Sequence, residues 1–150
     1  MELFMKKLIT ALTVPMLLAA CSTTADKAAF VKPTDLQHHH WVLAKIDGKD
    51  VVKAENGAQA DLEIGENLNS HGNAGCNGFR GVAEINPENG QFRIEKMAMT
   101  MKMCMGDAMT TERAVSSTLS AWSTIDLQKD TLTLSNDQHT LTYTLSDWVN

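Results

Sequence analysis

From Ile125 onward the chain alternates apolar and polar residues in three short runs, and this period of two constrains the fold more than any other feature. Ile125 and Leu127 run up to Lys129-Asp130, Leu132 and Leu134 up to Asn136-Asp137, and Leu141, Tyr143 and Leu145 complete the set. In an extended chain such spacing puts the apolar side chains on one face. Breaks at turn-forming residues then make the runs an antiparallel meander. Earlier segments follow the same rule. His40 to Ile46 closes at Asp47-Gly48, Leu62 and Ile64 precede Gly65, and Leu68 to Ala74 forms a partner strand. One stretch has a helical period instead: Val115, Leu119 and Trp122 fall on one face of Asp107 to Trp122, with Asp107 placed to cap the start. The expected fold is mainly β (α+β), a small antiparallel curled sheet or partial barrel. The Val115, Leu119 and Trp122 stripe of its one principal helix packs on one face or plugs one mouth.

Near the N-terminus, Lys6 and Lys7 precede an apolar run from Leu8 to Ala20, broken only by Thr10, Thr13 and Pro15. The run falls short of the about 20 residues a membrane span needs, so it reads as a cleavable export signal covering residues 1–20. Leu18-Ala19-Ala20-Cys21-Ser22 matches a lipobox, which makes Cys21 the lipidated residue. Several acyl chains, at about 0.8 kcal/mol per buried methylene, give stable anchoring. Ser22 beside the anchor fits outer-membrane delivery with the domain facing the periplasm. Residues 21–35 read as a flexible tether and 36–150 as one domain. Loss of Lys6, Lys7 and Glu2 with the signal takes the formal charge from −5 to −6. An acidic surface argues against nucleic acid as a partner. The expected contacts are the membrane lipid at Cys21 and an envelope protein.

Once Cys21 carries lipid, Cys76 and Cys104 are left as a pair in an oxidising compartment. A disulfide between them would close a loop of about 28 residues and stabilise the domain by roughly 3.5 kcal/mol. Free buried thiols, or a reactive thiol with His71 as base, are the alternatives. Gly72, Gly75, Gly78 and Gly81 recur at every third position, but the run lacks the following Lys-Ser/Thr of a phosphate-binding loop. It therefore reads as turns and close backbone approaches. Met97, Met99, Met101, Met103 and Met105 alternate, so an extended segment would put all five on one face and Cys104 on the other. A core strand is the expectation, because an exposed methionine edge would be a large apolar patch. Soft Cu(I) ligation is the competing reading. Phe92 and Ile94 lie on the opposite parity from Met97 and Met99, which requires a bulge near Glu95 to Met97 or cover on both faces. His38, His39 and His40 read as a solvated strand entrance, with a weak surface metal site as the alternative.

Taken together, the Trp41 to Gly48 strand, Gly75-Cys76-Asn77 with Phe79 and Gly81, Thr100 to Cys104, Glu112 before the helix, and the Leu132 to Leu145 hairpin resemble the META domain family. The likeness is to its HslJ-type heat-shock lipoproteins in particular, from about Leu36 to the end. The resemblance implies a compact antiparallel β fold with one helix, no cofactor and no catalytic residue. It also implies an association with heat shock, envelope stress and tolerance of novobiocin-type antibiotics. A fold-level likeness of META domains to secretion pilotins implies binding of another polypeptide in an apolar groove. The extended methionine run and the triple histidine depart from the family pattern. The expected function is a non-enzymatic envelope lipoprotein that supports outer-membrane integrity under stress by binding a protein or apolar ligand. A periplasmic copper or redox buffer built on Met97 to Met105 is the alternative.

Overall fold

The computed structural model of the protein describes residues 31–53 and 59–147. The expected export signal, Cys21 and the first part of the expected tether lie outside the described residues. Packing into the domain reaches back before Leu36. Val31 is buried, and Pro33–Leu36 forms a single helical turn, α1, that delivers a fully buried Leu36 to the core. Pro33 suits the start of that turn, where its missing N–H would have had no partner.

The chain then forms β1 (His39–Ile46), turns at Asp47 and Gly48, and returns as β2 (Lys49–Asp50). Both turn residues have positive φ, 51° and 76°, the conformation that a two-residue hairpin needs. Next come β3 (Asp61–Ile64), β4 (Asn69–Asn73), β5 (Gly78–Val82), β6 (Glu84–Asn86), β7 (Gln91–Arg93) and β8 (Ala98–Met99). Helix α2 (Asp107–Ser120) precedes β9 (Ser123–Gln128), β10 (Thr131–Ser135) and β11 (Thr140–Leu145). These last three strands are the expected meander. Leu132 lies opposite Tyr143 and Leu134 opposite Leu141, all four buried. Asn136 closes the second turn, its Oδ1 accepting from the backbone N–H groups of Gln138 and His139.

All strands join one antiparallel sheet, ordered β6-β7-β9-β10-β11-β1-β3-β4-β5-β8, with β2 added to β1. Two chain connections prove that it curls. β5 and β6 stand near opposite ends of that order, yet only Ala83 separates them in sequence. At about 3.5 Å per residue, the two edges must lie side by side. The link from β7 to β8 closes the same gap. Its Ile94 is fully buried, donates its N–H to the Leu119 carbonyl at 2.6 Å, and leaves no room for a side chain at Gly81. The parity conflict between Phe92 and Met97 thus has a simple cause: Phe92 lies on β7 and Met97 just before β8, strands near opposite ends of the order. A register shift between Leu43 and Lys45 bends β1 as well, so that it serves β3 with one half and β2 with the other.

Helix α2 closes the open mouth of this half-barrel with Thr111, Ala114, Val115, Thr118 and Leu119. Two expectations about it need correction. Trp122 lies beyond the helix end and is only partly buried, stacked by the Arg93 guanidinium 4.4 Å from its ring centroid. That pairing keeps one indole face at the surface. Asp107 sits inside the first turn, and the cap is Gly106 at φ 65°, a value disfavoured for an L residue. Asp107 still complements the positive end of the helix dipole.

The histidine run is also more engaged than a solvated entrance. His38 turns the chain at φ 64°, His39 Nδ1 meets Asp147 at 2.7 Å, and His40 Nε2 meets Asp61 at 2.9 Å. Burial alone would depress the pKa of His40. The Asp61 hydrogen bond, the Ser146 carbonyl and the charges of Asp61 and Glu63 outweigh it and raise the value above 6.5. A raised folded pKa stabilises the fold fully below the unfolded value and loses that contribution as pH rises through the folded one. The urea midpoint should therefore fall as pH rises above about 6.5, and His40→Asn should flatten that slope. An unchanged slope in the variant would refute the assignment.

Candidate functional site

Asn77 is the hub of the most connected polar cluster among the described residues, although it is only 3% exposed. Its backbone N–H donates to Glu112 Oε2 at 2.6 Å and its Nδ2 to Glu112 Oε1 at 3.1 Å. Nδ2 also donates to the Lys102 carbonyl at 3.0 Å. In return Oδ1 accepts from the Thr100 hydroxyl at 2.8 Å and from the Lys102 N–H at 2.6 Å. One side-chain amide thus spends both donors and accepts twice. It ties the β4–β5 turn, the segment after β8 and helix α2 into one unit.

Around this hub the other motif residues have structural tasks. Cys76 and Cys104 form a disulfide with their Cα atoms 5.9 Å apart, which takes up the thiol that a catalytic reading with His71 would need. His71 itself lies on β4, with Nε2 3.4 Å from Glu63. Gly75 has φ +130°, and a Cβ there would come within 2.7 Å of the Ala108 carbonyl, so only glycine lets α2 approach the turn. Phe79 fills the core between its strand partners Gly72 and Met99. Thr100 Oγ1 accepts the Gly78 N–H at 3.2 Å, extending the β5–β8 pairing by one step.

Beyond Met99 the chain runs as an irregular strap, residues 100–106, and here the core-strand expectation fails. Met97 and Met99 pack against the core in part, whereas Met101, Met103 and Met105 are 97%, 94% and 88% exposed. The reason lies in the anchors. The Thr100 hydroxyl and the Lys102 backbone bind Asn77, and Cys104 is bonded to Cys76. Alternate residues are pinned to the body, so the methionines between them face solvent.

The strap borders a cleft of about 760 Å³. Its walls include Val51 and Ala60 from the β2–β3 connection, the disulfide, Met105, and Ala108 and Thr111 from the start of α2. Val52, 66% exposed, stands between this cleft and a shallower one of about 520 Å³ beside Arg113 and His139. Asp107 and Lys53 give the larger cleft charges of both signs. Such a lining suits an apolar chain segment with a polar backbone better than a small charged metabolite. Sequence reasoning singled out the cysteines and the methionine run, the latter as a core strand, but missed Val51, Val52 and Ala60. The adjacent Val51-Val52 pair was the available signal, since both cannot face the core of one strand.

Residues 34–148 match the META domain. The chain belongs to the META family. This META domain is 33% identical over 147 residues to Heat shock protein HslJ of Escherichia coli (strain K12), spanning 97% of this chain and 100% of that one. A solved NMR structure 32% identical to it superposes with a TM-score of 0.68, covering 80% of this chain and 99% of its own. A second, from Burkholderia xenovorans, reaches 0.65 over 97% of this chain and 100% of its own at 19% identity, a likeness of fold alone. The curled antiparallel sheet with one main helix is thus the fold of the META domain's relatives. Thr100, Cys104 and Glu112, which carried the resemblance in sequence, are the residues that converge on the Cys76-Asn77 turn.

Proposed function

We propose that this META domain is a non-enzymatic, heat-shock-related envelope lipoprotein that holds an apolar segment of another polypeptide in the cleft beside the strap. In this reading Cys21 tethers it to the outer membrane, facing the periplasm, and the binding supports membrane integrity and tolerance of novobiocin-type antibiotics. The observation that carries it is the display of Met105 and Val52 at the rim of the cleft, 88% and 66% exposed. Methionine is flexible and adapts to many apolar partners. Contiguous exposed apolar surface on a soluble domain marks an interaction site. Similarity to Heat shock protein HslJ supports the stress association.

A photoreactive residue at position 105 should crosslink in the envelope to a discrete polypeptide, whereas one at exposed position 126 on β9 should not. Val52→Asp should suppress that crosslink, because a charge at the rim would have to be desolvated. Cells lacking the protein should survive heat and novobiocin less well than the parent. Equal survival, or identical crosslinking from both positions, would overturn the proposal.

A further inference from the structure

Met101, Met103 and Met105 differ from ordinary surface methionines in how they are held. Each is flanked by a residue pinned to the body: Thr100 and Lys102 through Asn77, and Cys104 through its disulfide. Successive methionine Cα atoms are at most about 7 Å apart, and each sulfur lies three bonds from its Cα. Neighbouring thioethers can therefore meet on one ion, and the strap, irregular rather than a regular strand, lets the third join them by bending between its anchors. Thioether sulfur is a soft, neutral ligand that selects Cu(I) and its chemical analogue Ag(I) over Zn(II). Among the described residues no group of three His, Cys, Asp or Glu side chains could hold a metal, and the cysteine sulfurs are bonded to each other. Among the described residues, the methionines whose side chains are mostly exposed are the three of this strap.

We infer that Met101, Met103 and Met105 form a surface site for a monovalent soft cation, Cu(I) or Ag(I), coordinated through their three thioether sulfurs. Coordination involves no electron transfer and leaves the disulfide intact. Because thioethers take up no proton in the physiological range, affinity should not change between about pH 5 and pH 7, where a histidine site would weaken on acidification. Met97 and Met99, packed against the core, are not part of the site. The inference does not rest on polypeptide docking. Leucine at the strap positions keeps the apolar surface and removes the ligands, so the two readings fail separately.

The test is competition for Cu(I) between the non-reduced protein and a chromophoric Cu(I) chelator, with ascorbate holding the metal monovalent. One equivalent should bind with a Kd below about 1 μM. The triple variant Met101→Leu, Met103→Leu, Met105→Leu should weaken binding by at least about 100-fold. Met97→Leu with Met99→Leu should leave it unchanged, and circular dichroism checks that both variants are folded. A triple variant that competes as well as the parent would overturn the site. So would an equal loss in the Met97 and Met99 pair, a marked loss of affinity at pH 5, or comparable Zn(II) binding.

Discussion

Replacing Asn77 by alanine is expected to cost about 4 kcal/mol of unfolding free energy, read as a shift of the urea midpoint at constant slope. The substitution strands the Thr100 hydroxyl, both backbone groups of Lys102 and part of the Glu112 carboxylate. A buried polar group left without a partner costs about 1–3 kcal/mol, and total stabilities of small domains run to about 5–15 kcal/mol. Asn77→Asp should be similarly harmful, because it sets a carboxylate against that of Glu112 and removes the donor to the Lys102 carbonyl. Thr100→Val, which loses the hydroxyl's contacts but leaves the hub, should cost only about 1 kcal/mol. A loss below about 1 kcal/mol for Asn77→Ala would mean that the three elements do not depend on this amide.

Removing the disulfide should have the second-largest effect, about 3.5 kcal/mol for the double change Cys76→Ser and Cys104→Ser. The bridge spans 28 residues, enough to restrict the unfolded chain substantially. Folded structure should survive, because the Asn77 cluster still holds the strap at Lys102. What loosens is the stretch from Met103 to Gly106, which leads into α2. The double variant should therefore show a lower urea midpoint and faster tryptic cleavage at Lys102, and wild-type protein treated with reductant should match it. A midpoint within about 1 kcal/mol of the parent would show that the cross-link adds little to what the Asn77 cluster already fixes.

Parts of this architecture were legible in the order of residues, and the reasons for the rest are specific. The meander could be read because Leu132, Leu134, Leu141 and Tyr143 each face one core, so a period of two survives in the sequence. The helix could be read from Val115 and Leu119, whereas its end could not, because Trp122 is apolar and still serves the surface through Arg93. The exposure of Met101, Met103 and Met105 was misjudged because alternation reports only which residues share a face. Which face turns to water was decided by anchors on Asn77 and Cys76, distant in sequence. The same holds for Glu112, whose bonds to Asn77 bridge 35 positions. The residues of the cluster could be recognised individually, but their convergence is a property of the curled sheet.

The position of β11 has a consequence for how the chain acquires its structure. This strand, the last of the eleven in chain order, lies between β10 and β1, near the middle of the sheet order. Without Thr140–Leu145, the first strand lacks one of its two main neighbours and no hydrogen-bonded ladder joins β10 to β1. Completing the sheet thus waits on β11, and truncation before Thr140 would remove its central seam rather than a frayed edge.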